Sequence, residues 1–180
     1  PAFSLLPLLV IDHFQGGAGE YAAMEALAGI GMLAGGLFLG VWGGSRRKLA
    51  TLLASCLALS IGVTALGLVP MDLILAAYAI AAAIGITLAL LNGSFMAMLQ
   101  AKVPFDKQGR VFALISAGVT AMMPAGLLLA GPLADLLGVR AWYLIAGVPM
   151  ALLTVVFMAM PSVTRIEERV VSERPIAAEE

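Results

Sequence analysis

The chain has 180 residues, 62% of them hydrophobic and only 12% charged, with a formal net charge of −1 and a mean hydropathy of +1.04. Water-soluble domains average about 45–50% apolar and about 25% charged residues, so these few charges cannot coat a water-facing surface, and no basic excess points to nucleic acid. Cys56 is the one cysteine, which excludes an intrachain disulfide framework and a thiolate metal site.

The apolar residues gather in runs long enough to cross about 30 Å of hydrocarbon at about 1.5 Å per residue. The fold class is therefore an all-α membrane protein, a polytopic transmembrane helix bundle. Pro1–Ile11 is a first apolar run of about 16 Å, half a span. It lacks the basic leader and small-residue cleavage site of a signal peptide, and reads as the tail of a spanning helix that begins upstream. Asp12–Tyr21 (DHFQGGAGEY) is a polar, glycine-rich link.

Ala22–Trp42 is the next span, with Glu25 near its start. Gly31 and Gly35 are four apart, as are Gly36, Gly40 and Gly44, a spacing that stacks small residues on one helical face where two backbones can approach. The face serves either a helix contact that slides during a conformational change or ordinary tight packing. A basic turn at 44–48 (GSRRK) leads to the span Leu49–Val69, where Cys56 reads as a small apolar residue. Pro70-Met71-Asp72 is a minimal turn before the span Leu73–Leu99.

Gln100–Phe112 (QAKVPFDKQGRVF) is the most polar segment between two long apolar runs, with Pro104 and Gly109 expected to break any helix. Val111–Ala130 spans again; its internal Pro124 is tolerable in a membrane because neighbouring groups satisfy the freed carbonyl. Gly131–Arg140 (GPLADLLGVR) reads as a turn, and Trp142–Met160 as the last span. The tail at 162–180 is charged and without apolar period, so it is expected to be solvated and disordered.

Lys and Arg in the short loops set orientation. Taken alternately, one side holds Arg46, Arg47, Lys48, Lys102, Lys107, Arg110 and the three tail arginines, and the other only Arg140. The bias makes the Gln100–Phe112 hinge and the tail cytoplasmic in a multi-pass protein of the cell membrane. Trp42, Trp142, Tyr21 and Tyr143 fall at helix ends, as an aromatic belt would.

The run NGSFMAMLQAKVPFDKQGRVFALISAG, followed by AGPLADLLGVR, resembles the C-terminal half of major facilitator superfamily transporters, with its closest likeness in the macrolide-efflux-like branch. GIGMLAGGLFLGVWGGSRRK is similar to the eighth helix and following basic loop of that branch. The resemblance implies half of a 12-helix major-facilitator fold. Residues 1–161 would be its C-terminal transmembrane half, with spans at about 1–11 (partial), 22–42, 49–69, 73–99, 111–130 and 142–160, and 162–180 a cytoplasmic tail. It also implies proton-coupled efflux of a small hydrophobic molecule or drug by alternating access, with the N-terminal six-helix half, the bilayer and a small-molecule substrate as partners. GPLADLLGVR resembles the superfamily's loop signature too, but the charge count puts it on the outer side, where it fits the turn closing the last helical pair.

An ionisable side chain in hydrocarbon is a functional candidate. Glu25, about 6 Å inside its span, is the first candidate for proton coupling; the plainer reading is an acid favoured by a helix N-terminus. His13 and Asp12 form a second polar pair, and a loop His can also be merely solvated. Asn92, Met96 and Gln100 recur at four-residue spacing, as do Ser116, Thr120 and Pro124. These faces, with Met123, either line a cargo cavity or serve helix packing. Asp106, Lys107 and Arg110 read as a cytoplasmic gate or a lipid anchor, and Gly31, Gly35, Gly36 and Gly40 as packing positions.

Nothing in the sequence calls for an enzyme, a cofactor or a metal. Asp12 and His13 sit outside any span, no phosphate loop with its lysine is present, and no metal-ligand spacing occurs. The alternative function is a non-transport membrane scaffold or assembly subunit, docked through the glycine faces.

Overall fold

Pro7 shapes the first element of the computed structural model, which describes residues 3–42 and 48–160, the side chains of Trp42, Lys48 and Lys102 excepted. The basic turn at 44–47 and the tail at 162–180, with the cytoplasmic positions expected for them, lie outside the described residues. Helix α1 (Phe3–His13) winds unevenly, as a 3₁₀ turn at Phe3–Leu5, one α turn at Leu6–Leu8 and a wide π turn at Leu9–His13. Pro7 sits in the first α turn, where proline is tolerated. The Phe14 N–H reaches back to the Leu9 carbonyl at 3.2 Å, and Gln15 reverses the chain with a left-handed φ of 51°.

Helix α2 (Ala18–Trp42) starts about one turn before the span read from the sequence. The cause is a cap: the Gly17 N–H donates to a Glu20 carboxylate oxygen at 2.7 Å, one half of a capping box. Asp12 and His13 consequently belong to the last turn of α1 and not to a loop. There follow α3 (Lys48–Leu68), a 3₁₀ turn at Met71–Leu73, α4 (Ile74–Lys102), α5 (Phe105–Leu137) and α6 (Val139–Ala159). The five helices α2 to α6 are long and apolar enough to cross a membrane.

Two expected loops are largely helical. Within Gln100–Phe112 only Val103 and Pro104 interrupt the helices. Pro104 offers no N–H, and Val103 before it is extended at φ −100° and ψ 124°, as a residue preceding proline prefers. Polarity by itself does not unwind a helix, and the Gln108 side chain donates to the Val103 and Gln100 carbonyls at 3.0 and 3.4 Å. That contact serves carbonyls left open where α4 ends. Likewise α5 passes through Pro124 and Pro132 to Leu137, and the turn expected over Gly131–Arg140 shrinks to Gly138. Its φ of 84° with ψ of 150° is a conformation open essentially to glycine.

In the bundle α2 runs along α4, α3 packs against both α4 and α6, α5 leans on α6, and the last turn of α1 rests on α6. The buried cluster joins Leu9 and Val10 of α1, Met24 of α2, Leu59 and Leu66 of α3, Ala81 and Ile84 of α4, and Tyr143 of α6. Outward faces carry large apolar groups such as Leu33, Leu37, Leu114 and Leu128, a surface suited to lipid and not to water.

Apolar faces gain little by meeting in lipid, so helices associate through close packing of small residues. The α2–α4 seam is built this way. A Cβ on Gly31 would strike the Ala82 carbonyl, one on Gly35 would meet the Ile86 carbonyl oxygen at 2.6 Å, and one on Gly85 would strike the Ala28 carbonyl. Gly36 and Gly40 lie on faces where nothing comes within 4 Å of an added Cβ.

Candidate functional site

The early start of α2 sets Glu25 about 10 Å along that helix, deeper than the sequence reading placed it. There its exposed side chain borders an apolar cavity of about 240 Å³. Phe3 and Leu6 of α1, Val63 and Leu66 of α3, Ala81 and Ile84 of α4, and Tyr143 of α6 complete much of the wall. Glu25 is the only carboxylate among the lining residues. One turn earlier, the Tyr21 hydroxyl donates to Glu25 Oε1 at 3.4 Å, beyond the usual O–H···O distance.

The other candidates lie elsewhere. His13 is buried, with Nε2 2.8 Å from the Val69 carbonyl oxygen and its ring edge-on to Phe14 at 4.7 Å. Asp12 beside it is exposed, and neither lines the Glu25 cavity. Asn92, Met96 and Gln100 are exposed on α4, and the Asn92 amide donates to the Leu88 carbonyl at 2.9 Å. Ser116, Thr120 and Met123 are exposed on α5. Met123 joins Ile115, Gly118, Val119 and Met122 in an open groove along that helix. Asp106, Lys107 and Arg110 are exposed in the first turns of α5. The structure therefore brings together Glu25 and four helical walls, and leaves both polar faces and the basic corner outside the cavity.

A family model described as Major Facilitator Superfamily matches residues 2–179. The chain belongs to the major facilitator superfamily. It is 29% identical to macrolide efflux protein A of Streptococcus pyogenes over 167 residues, 93% of this chain and 41% of that protein. It is 31% identical to macrolide efflux protein A of Enterococcus faecalis over 127 residues, 71% of this chain and 39% of that one. With multidrug efflux pump Tap of Mycolicibacterium fortuitum it shares 33% identity over 139 residues, 77% of this chain and 33% of the pump. The chain thus spans well under half the length of these relatives. No solved structure matches it.

This major facilitator chain is a multi-pass membrane protein, without a strand among its described residues, whose apolar helices are consistent with part of the superfamily's bundle. The sequence reading took two residues near the site, Tyr21 and the buried Tyr143, only as members of an aromatic belt. Tyr21 had a legible signal, its i, i+4 spacing to Glu25 on one helical face. Tyr143 had none, because its place in the wall depends on how α6 docks.

Proposed function

We propose that this chain is the C-terminal six-helix half of a secondary active exporter. The whole carrier moves a small hydrophobic molecule or drug across the cell membrane in exchange for protons. An N-terminal six-helix half is its partner, and the two halves rock about a shared site near the bilayer midplane. The observation that carries this reading is Glu25, an exposed carboxyl bordering an apolar cavity, one turn along α2 from Tyr21. An acid set among apolar walls is a position for exchanging protons with a cavity. The relatives, two macrolide efflux proteins and a multidrug efflux pump, support export as the direction.

In this proposal the exposed faces of Asn92, Met96 and Gln100 and of Ser116, Thr120 and Met123 meet cargo or the second half. Asp106, Lys107 and Arg110 form the cytoplasmic rim, where Lys107 and Arg110 attract anionic lipid. Asp12 stands second to Glu25 as a coupling group, while His13, bound to the Val69 carbonyl, has a structural role. The test is drug accumulation in inverted membrane vesicles under an imposed proton gradient, with dyes and macrolides as cargo. Glu25→Gln is expected to lower gradient-driven accumulation about tenfold or more while leaving drug binding in place. An unchanged drug-to-proton ratio in that variant contradicts the proposal.

A further inference from the structure

Helix α3 ends at Leu68, and the last carbonyls of a helix have no partner within it. Two of the carbonyls at this end are served by side chains from other helices. Arg140, at the start of α6, donates from Nε to the Gly67 carbonyl at 3.0 Å. His13, at the end of α1, places Nε2 2.8 Å from the Val69 carbonyl. A carbonyl only accepts, so Nε2 carries the hydrogen, in the neutral ring as in the protonated one. Gly67 is what lets α6 come this close, since a Cβ there would lie 2.8 Å from Tyr143 Cβ and 3.2 Å from the Arg140 carbonyl. A guanidinium beside a helix C-terminus is also favoured by the helix dipole.

The three elements joined at this point are those that carry Phe3 and Leu6, Val63 and Leu66, and Tyr143 into the cavity wall. We propose that His13 and Arg140 are positioning residues: by clasping the end of α3 they hold α1, α3 and α6 as one unit facing Glu25. His13 then acts as a fixed hydrogen-bond donor and not as a group that must change charge during transport. The effect on cargo rests on the transporter reading above, whereas the clasp itself does not, and the test separates the two.

The test pairs His13→Leu with His13→Gln, and Arg140→Met with Arg140→Lys, since the second of each pair keeps a donor. Each is built into a Cys56→Ser, Leu66→Cys background in membranes expressing the protein, and maleimide labelling of Cys at 66 is timed alongside efflux kinetics. Leu66 is buried in the cavity wall. His13→Leu and Arg140→Met are expected to speed labelling about fivefold and raise the efflux KM about tenfold, with kcat little changed, as loss of one hydrogen bond to a buried carbonyl implies. His13→Gln and Arg140→Lys are expected to stay within about twofold of the parent in both readouts. Parental labelling in the Leu and Met variants overturns the clasp, and so does His13→Gln behaving as His13→Leu. Should the apolar variants fail to reach the membrane, the donor-keeping pair decides alone: parental labelling upholds the clasp and fast labelling overturns it. If the parent assembled with its N-terminal half moves no drug, the labelling rates still decide, and only the transporter reading falls.

Discussion

Helices α4 and α5 are joined by two residues, Val103 and Pro104, and both are long and apolar, yet they are held in opposite ways. α4 lies between α2 and α3, and its Gly85 admits the backbone of α2 at Ala28. α5 leans on α6 alone among its larger contacts, and Gly109, Gly118 and Gly131 have nothing within 4 Å of an added Cβ. Glycine in a membrane helix therefore marks a seam only where another helix comes close opposite it. The groove of a backbone, and not the count of glycines, sets the contact.

The comparison breaks or sharpens by substitution. Gly85→Leu, which drives a side chain into the Ala28 backbone, is expected to cost about 3 kcal/mol or more. Gly118→Leu on α5 should stay within about 0.5 kcal/mol. Thermal unfolding in one detergent measures both, and equal losses would show that α5 is as tightly seated as α4. Gly138→Ala comes next, at about 1–3 kcal/mol, because its φ of 84° is closed to a residue with a Cβ; a silent change would mean that the α5–α6 turn relaxes freely. Gln108→Ala should cost about 1 kcal/mol, by opening the Val103 and Gln100 carbonyls at the corner between the two helices. Smallest is Leu128→Ala on the exposed face of α5, expected at under about 0.5 kcal/mol; a loss as large as that of a core leucine would place a neighbour on that face.

The contrast also marks what the sequence could convey. Hydropathy alone pointed to the five long apolar helices, since length and apolarity are local properties. Their ends were less legible. The polar residues of Gln100–Phe112 and the Gly131-Pro132 pair suggested long loops, but a helix tolerates polar side chains and one missing N–H, so only Val103-Pro104 and Gly138 interrupt it. The glycine stripe was legible as a pattern, whereas its partner was not: four-residue spacing describes Gly31 with Gly35 and Gly36 with Gly40 equally well. Only the path of α4 distinguishes them. Glu25 was found by its charge alone. His13 was legible as a polar residue, but its acceptor, the Val69 carbonyl, lies 56 residues further along the chain. No local pattern foretells a contact of that kind.

The central proposal is that, in the carrier formed with the N-terminal half, Glu25 trades its proton for cargo. Purified protein in weakly buffered solution, mixed with an exported drug while a pH indicator is followed, tests it most directly. The account predicts that drug binding releases protons, as reciprocal linkage between competing ligands implies, and that Glu25→Gln releases none at matched drug occupancy. Equal proton release from both proteins would contradict it.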